Sequence, residues 1–595
     1  MSKLITNNFK LFNAEQFIES FSESQFEVYY LFIGKSTPFT NDSVPPTLYD
    51  AVRDVYVDPY ENMLYAKRIT TSDVVYMAPR HDWTANTAYA KYSHDANNLF
   101  QSAFYVVVDE GLNYSVFKCL DNNSGAYSTY EPQSTETSPS DESYVTPDGY
   151  QWKYMYSVSS TVFDRFATLS HIPVIANTQV SGNAVAGSID NIEVISRGSS
   201  YSSYANGTFQ EARVGGNELI YALDPTTSSS NSSFYVGCAL KIVSGTGAGQ
   251  LKKINAYTVS GSTRRVTIDS AFTIGPTNSS TYEITPLVTI SGDGTGATAR
   301  AIVNATSNSI HKIEIVNRGE NYTYASVAIT GNTGIINVAT STAILANNAQ
   351  AKAIISPKGG HGSNTAAELG AHYVGVSVVY DSTLSGGKIV DENDFRTAGI
   401  IKNPLFANVV LTLSSVSGTF QDEERVSQSN TGAYGIVVSS NSTSVKLSNA
   451  FGFFATGNSS TNLLTGNVSG YTAICDSISQ PTTYVDQTTK FVASLQTANN
   501  FIEDERVYQI AANAYFYSSN ATVIRVVDPK GTFNTSDIST TEYIDGANSS
   551  ARASIDAIIP PDLVKNTGDV IYIENFVPIS KTSGQTESLK LILEF

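Results

Sequence analysis

Short apolar runs bounded by turn residues recur along almost the whole chain, and they predict strands far more often than helices. One early stretch has helical spacing. Phe17, Ile18 and Phe21 form a stripe, Asn13 is placed as N-cap, and Gln16 follows three residues later as a capping-box partner, which predicts a helix over residues 14–22. Phe26 to Ile33 is apolar almost without interruption and predicts a buried strand, ended by Gly34 and the region of Pro38. Pro45 and Pro46 mark an extended loop, and residues 48–56 suit a short helix. Strands are expected around residues 74–78, 103–108 and 114–120. Residues 121–148 are rich in Ser, Thr, Pro, Asn and acids, a long loop of the kind that carries contacts. From Tyr150 to Val158 aromatic and polar residues alternate, as in a strand with one buried face.

The middle of the chain repeats itself. Ile189 to Tyr201 recurs as Ile310 to Tyr322, each an alternating strand that runs into Arg-Gly (Arg197-Gly198, Arg318-Gly319) and then a tyrosine. The glycines suit a turn that needs positive φ. Val288 to Arg300 carries a hairpin signal, two strand-like runs around a glycine-rich turn. Further on, Phe420 to Gln428 matches Phe501 to Gln509, and Ala433-Tyr434 matches Ala514-Tyr515 at the same offset. The second pair predicts two compact β-barrels or β-rolls. Duplication argues for modular elaboration, since a single catalytic centre would break the symmetry.

Composition agrees with this pattern. Charged residues make up 15% of the 595, hydrophobic residues 41% and aromatics 11%, with 35 Tyr against 2 Trp. Such a chain is poor in long helix-forming runs and rich in residues that suit pleated surfaces and turns. The formal net charge of -18 would repel phosphate, so no nucleic-acid partner is expected. No apolar run nears the length of about 18 residues of a membrane-spanning helix, so no membrane insertion is expected, and the first residues lack the pattern of a signal peptide. Cys119, Cys238 and Cys475 are too scattered for a disulfide framework or a metal motif and suit buried, reduced thiols.

Candidate chemistry is sparse. None of His81, His94, His171, His311, His361 and His372 sits in a metal-ligand spacing, and no metal or cofactor is expected. Gly359 to Gly362, with His361 inside, suits a structural loop better than a catalytic one. Gly245 to Gly249 lacks the lysine of a phosphate loop and suits a β-turn. The acidic runs Asp422 to Glu424 and Glu503 to Glu505 each precede an arginine (Arg425, Arg506), which suits a solvated turn or local ion pair, with weak cation binding as the alternative. Arg80, Asp82 and Trp83 are the best candidate cluster for an interface anchor, with a buried structural corner equally open; Tyr150 and Trp152 are added as interface candidates. No catalytic residue is assigned.

Six segments resemble one family, the baseplate wedge subunit of T-even-like contractile-tailed bacteriophages. They are Phe32 to Phe39, Pro79 to Trp83, Val116 to Asp121, Pro147 to Trp152, Ile400 to Leu405, and Gly568 to Phe595 through Tyr572, Glu574, Asn575, Pro578 and Gln585 to Glu587. The matches fall in the right order, while residues 180–350 and 406–558 depart from the family as insertions. The resemblance implies a structural protein of the virion tail baseplate, assembled in the host cytoplasm, not an enzyme. It would form a homodimer, contact other wedge proteins and candidate tail fibres, and take part in the rearrangement that accompanies contraction. The fold it implies is mainly β, with a β-sandwich-like core built from both chain ends, inserted small β-barrel or β-roll modules and a short N-terminal helix. The expected divisions are 1–175 for the N-terminal part of the core, 176–354 for the repeat region, 355–405 for a core return, 406–558 for the duplicated modules and 559–595 for the closing strands. The strands at 569–574 and 588–595 are expected to pair with each other and with strands of the N-terminal third. A host-attachment or glycan-binding tail protein is the alternative, and a tail depolymerase a more distant one.

Overall fold

In the computed structural model 45% of residues lie in strands and 10% in helices, so the protein is mainly β. The structure describes residues 5–22, 27–199, 201, 205–304, 306–330, 336–337, 342–343, 349–383, 385, 389, 394–457, 460–536, 542–578 and 586–595. The chain divides into two compact units, one of Met1–Met77 with His372–Phe595 and one of Ala78–Ala371. Among the described residues no helix is long and apolar enough to cross a membrane.

The first unit joins the two ends of the chain. Its helix runs Asn7–Ser20, earlier than the sequence pattern predicts, because Thr6 and not Asn13 caps it, accepting from Phe9 N at 3.3 Å. Gln16 donates to the Glu19 carboxylate at 3.1 Å instead of closing a capping box. The short helix expected over 48–56 is displaced to a π turn at Arg53–Val57 and an α turn at Asp58–Asn62. The predicted first strand is Tyr29–Gly34, and Phe26 lies outside the described residues.

Tyr29–Gly34 is the middle of a five-stranded antiparallel sheet, in the order Tyr484–Asp486, Met63–Arg68, Tyr29–Gly34, Thr397–Lys402, Asp569–Asn575. Its continuous apolar run has a simple cause: both faces are covered. Tyr29, Leu31 and Ile33 point into one core with Ile400, Val374, Val376, Val378 and Leu591, whereas Tyr30 and Phe32 point into another with Val409, Leu411 and Val426. The first core is the filling of a sandwich whose other layer pairs Tyr373–Tyr380 with Glu587–Glu594 and with Val74–Met77. The closing strands therefore do not pair with each other. Asp569–Asn575 joins one layer and Glu587–Glu594 the other.

The duplicated motif falls on two closed six-stranded barrels. The first is built from strands between Val409 and Ile478, the second from strands between Thr489 and Ile559. The first barrel's core is continuous with the back of the five-stranded sheet, and the second lays Tyr517 and Val527 against the sandwich core.

The second unit holds the other repeat. Its first part is a sheet of Tyr105–Asp109, Asn113–Asp121, Gln151–Ser159 and Tyr144–Val145. The repeat copies form the strands Ile189–Ser196 and Ser309–Glu320, which share one core through Ile189, Ile192, Ile310 and Ile313. Gly198 (φ 60°), just past its strand, and Gly319 (φ 62°), inside the longer strand Ser309–Glu320, both take the left-handed conformation that glycine permits, though only the first is at a strand end. Beyond each turn the chain crosses to the other copy, and it does so reciprocally. Tyr201 N donates to Asn308 O at 2.9 Å, and Tyr322 N donates to Gly187 O at 3.1 Å. Both tyrosine hydroxyls then accept from an alanine amide, Ala349 N for Tyr201 (2.7 Å) and Ala297 N for Tyr322 (3.4 Å). The sequence repeat is thus a local two-fold in space. The predicted hairpin within it comprises Thr281–Gly292 and Thr295–Asn304.

Candidate functional site

The best sequence candidate, Arg80-His81-Asp82-Trp83, lies where the chain turns from one strand onto the flank of another. Val107 N donates to His81 O at 2.8 Å and Trp83 N to Val107 O at 3.0 Å, so alternate side chains face outward and inward. Arg80 Nε meets both Asp82 oxygens at 3.0 and 2.9 Å, its other arm donates to Thr168 O at 3.1 Å, and its guanidinium lies 5.3 Å from the Phe163 ring centre. Phe163 is itself stacked on Tyr114 at 3.7 Å. Trp83 is half-buried, its indole N–H on Ser128 Oγ at 3.1 Å. Burial pushes the His81 imidazole below its ordinary value, with Asp82 opposing. The corner is anchored from inside, yet the Asp82 side chain remains 56% exposed.

Tyr150 and Trp152 do not belong to that surface. Both are fully buried, stacked with centroids 5.4 Å apart, and the Tyr150 hydroxyl donates to Ala126 O. They are core: they lie on the aromatic face that the alternation from Tyr150 to Val158 puts inside, and buried Lys153 and Met155 show that the opposite face is covered as well. Close by, Asp148 organises the long loop, accepting from Thr129 N (2.8 Å), Tyr130 N (3.0 Å), Ser128 Oγ (3.1 Å) and Thr146 Oγ1 (2.6 Å). Burial raises the Asp148 pKa, but the Thr146 hydroxyl and the Tyr130 and Thr129 amides outweigh it, and the carboxyl ends below its ordinary value.

Sequence reasoning missed a buried charge cluster around the Gly359 to Gly362 loop. Gly360 (φ 99°) passes Val185 so closely that a Cβ would come within 2.5 Å of its backbone, which brings His361 into the interior. There the imidazole lies edge-on to Tyr92 at 4.8 Å, with Asp190 Oδ2 at 3.5 Å from Nε2 and Glu368 Oε2 at 4.0 Å from Nδ1. Glu368 takes the ammonium of Lys118 and the amide of Gly362 (2.7 Å). Asp190 takes Ser188 Oγ at 2.6 Å and faces Arg318 at 3.6 Å, and Arg318 meets Glu142 at 2.8 Å. Burial, then Lys118, Lys153 and Arg318, holds the His361 pKa well below its ordinary value, so the ring is neutral at pH 7. Burial likewise lowers Lys118, with Glu368 opposing. A lysine inside the buried run Val116 to Leu120 was the one local sign of a hidden carboxylate; its partner lies 250 residues away.

The acidic runs are turns in which Asp422, Glu423 and Glu503 are exposed, but the last glutamate of each run is buried. Glu424 and Glu505, 4% and 2% exposed, each close a barrel by accepting backbone amides. Glu424 takes Gln421 N, Val468 N and Ser469 N at 2.7, 3.1 and 2.9 Å, and Glu505 takes Ile502 N, Asn548 N and Ser549 N at 2.8, 2.9 and 3.0 Å. Arg425 turns instead onto the Tyr434 ring at 3.8 Å. Gln428 and Gln509 complete the repeated motif by clamping Ala455 and Asn534 through both amide atoms. The three cysteines are buried and in no disulfide. Among the described residues no group of three or more His, Cys, Asp or Glu could hold a metal ion.

The chain matches no known family model and no curated protein sequence.

Proposed function

We propose that this chain is a structural subunit of a contractile-phage baseplate wedge, a scaffold and not an enzyme. One observation carries the reading. The six segments that resemble the family are scattered from residue 32 to residue 595, yet they gather into neighbouring strands within each unit. The strand that carries Phe32 pairs with Thr397–Lys402, which carries Ile400 and Ile401, and Ile401 pairs with Val570, so three segments lie on consecutive strands of one sheet. In the other unit Cys119 pairs with Trp152, and Trp83 hangs from Val107 one strand further on. A resemblance concentrated on packed, mutually pairing strands is what a shared core would leave, since core positions tolerate change least. Glu424 and Glu505 hold backbone amides, and the Gly360-His361-Gly362 loop sits within a balanced buried charge cluster.

On this reading the protein works in the tail baseplate as a homodimer among other wedge proteins, with the Arg80-Asp82-Trp83 corner as a contact. Size-exclusion chromatography with light scattering, on the chain alone and mixed with the other wedge proteins of the same phage, tests it. A dimer that enters a larger complex is expected. A monomer or trimer that ignores those proteins overturns the reading in favour of host attachment.

A further inference from the structure

The two-fold relation between the repeat copies makes each position of one comparable with its counterpart in the other. Arg197 corresponds to Arg318, Asp190 to His311 and Asn191 to Lys312. Arg318 is satisfied within the chain: it faces Asp190 at 3.6 Å and takes the Glu142 carboxylate, delivered by the long loop, at 2.8 Å. Among the described residues no carboxylate is paired with Arg197 in this way at the counterpart place. Arg197 opens onto a cleft of about 370 Å³ together with His311 and Lys312, where a histidine and a lysine replace the aspartate and asparagine. Lys91, also on the cleft, is already paired with Glu193 at 3.2 Å. Asp121 is the remaining anion there, so three cations meet two carboxylates in a chain whose net charge is -18. Among the described residues neither Arg197 nor Lys312 has an ion-pair partner. Cationic side chains gathered in a concave site strengthen one another's field and favour an incoming anion.

We infer that this cleft is a docking site for an acidic side chain of a partner polypeptide, with Arg197 and Lys312 receiving the carboxylate as Arg318 receives Glu142. The counterpart supplies the chemistry: the same arginine, at the same turn of the same repeat, is met by a glutamate on an extended loop. An arginine fork and a lysine within one cleft suit a carboxylate, and charge-assisted bonds of this kind are the strong ones. The inference concerns a surface apart from the Arg80 corner and does not depend on the baseplate reading.

The probe is a fluorescent synthetic peptide with the sequence of residues 138–146, Ser-Pro-Ser-Asp-Glu-Ser-Tyr-Val-Thr, titrated into the full chain and followed by anisotropy. The native Arg318 place is held by its own tethered loop, which outcompetes free peptide. The peptide is expected to bind, and to bind about tenfold more weakly to Arg197→Ala, to Lys312→Ala, and when its glutamate is replaced by glutamine. Both residues lie at the surface, and unchanged thermal melts of the variants separate lost binding from lost folding. No binding at millimolar peptide, or binding that survives Arg197→Ala, overturns the proposal. Displacement by glucuronate or inorganic phosphate as effective as by unlabelled peptide overturns the assignment to a polypeptide and makes the cleft a small-anion site.

Discussion

Phe595 lays its ring 5.2 Å from the ring of Phe17, so the last residue of the chain packs on the first helix. Beside it Lys10 and Glu594 meet at 3.1 Å across 584 residues. The closing strand is thereby held on one side by the helix and on the other by an eight-residue ladder to Tyr373–Tyr380.

Removing residues 587–595 is expected to abolish soluble folding of the first unit. It would bare Val374, Val376 and Val378, which are fully or almost fully buried, and leave their strand with an open edge. Expression and a thermal melt of the truncated chain check this; a soluble protein with a normal melt counts against it. The Lys10 pair contributes little by itself, since Glu594 is 58% exposed, and Glu594→Gln is expected to cost under about 1 kcal/mol.

The two barrel glutamates are expected to behave alike. Glu424→Ala or Glu505→Ala leaves buried amides without an acceptor, at a cost of about 3 kcal/mol, or roughly a hundredfold faster hydrogen exchange in the affected barrel. Exchange measured by mass spectrometry over residues 463–472 and 543–552 reads this locally, with the exposed Asp422→Asn as a control within about 0.5 kcal/mol. Burial raises both carboxyl pKa values, but amide and hydroxyl donors outweigh it and both end below the ordinary glutamate value. Their contribution is therefore present above about pH 4.5 and lost as pH falls through the lower folded value.

Lys118→Met removes the cation from a carboxylate that is 3% exposed and is expected to destabilise the second unit by about 3–5 kcal/mol. Adding Glu368→Gln to Lys118→Met should recover much of that loss, because a neutral amide is far cheaper to bury than an unpaired charge. Denaturant unfolding of the single and double variants decides it; a double variant no better than the single one refutes the pairing.

His361 provides a pH test. Its folded pKa lies well below the ordinary histidine value because the ring is buried and then because it faces Lys118, Lys153 and Arg318; the opposing carboxylates, Asp190 at 3.5 Å and Glu368 at 4.0 Å, each face another cation as well. The unfolded chain takes up a proton below about pH 6.5 and the folded one does not, so the stability of the second unit is full above that pH and declines below it, by up to about 1.4 kcal/mol per unit. Melts between pH 7.5 and 5.5 should show the decline, and His361→Gln should flatten it. An identical slope in the variant assigns the effect elsewhere.

Legibility followed the range of each interaction. The strand at Tyr29–Gly34, the strands of the repeat and the left-handed backbone at Gly198 and Gly319 were visible because each depends on a few adjacent residues, whereas the strand that runs on through Gly319 to Glu320 depends on its partner Thr295–Asn304. The start of the first helix was missed because Asn13 and Thr6 both suit a cap, and burial of Leu11 with Ala14 extended the helix to the earlier one. The recurrence of Glu424 and Glu505 is legible in the sequence, but their burial is decided by amides more than forty residues away. Tyr150 and Trp152 are core and not interface residues, and the alternation from Tyr150 to Val158 already put their aromatic face inside; what it did not show is the cover over Lys153 and Met155 on the opposite face.

The order of residues by itself determined that this chain is mainly β, that two of its parts are duplicated, and where its turns fall, since backbone conformation and strand alternation are local. Only the tertiary structure decided that the two closing strands enter different layers, that His361 and Lys118 share one buried cluster, and that one arginine of the repeat is satisfied while its counterpart faces an open cleft. Those outcomes rest on which distant strands find each other, and burial then assigns each charge a partner or leaves it at a surface.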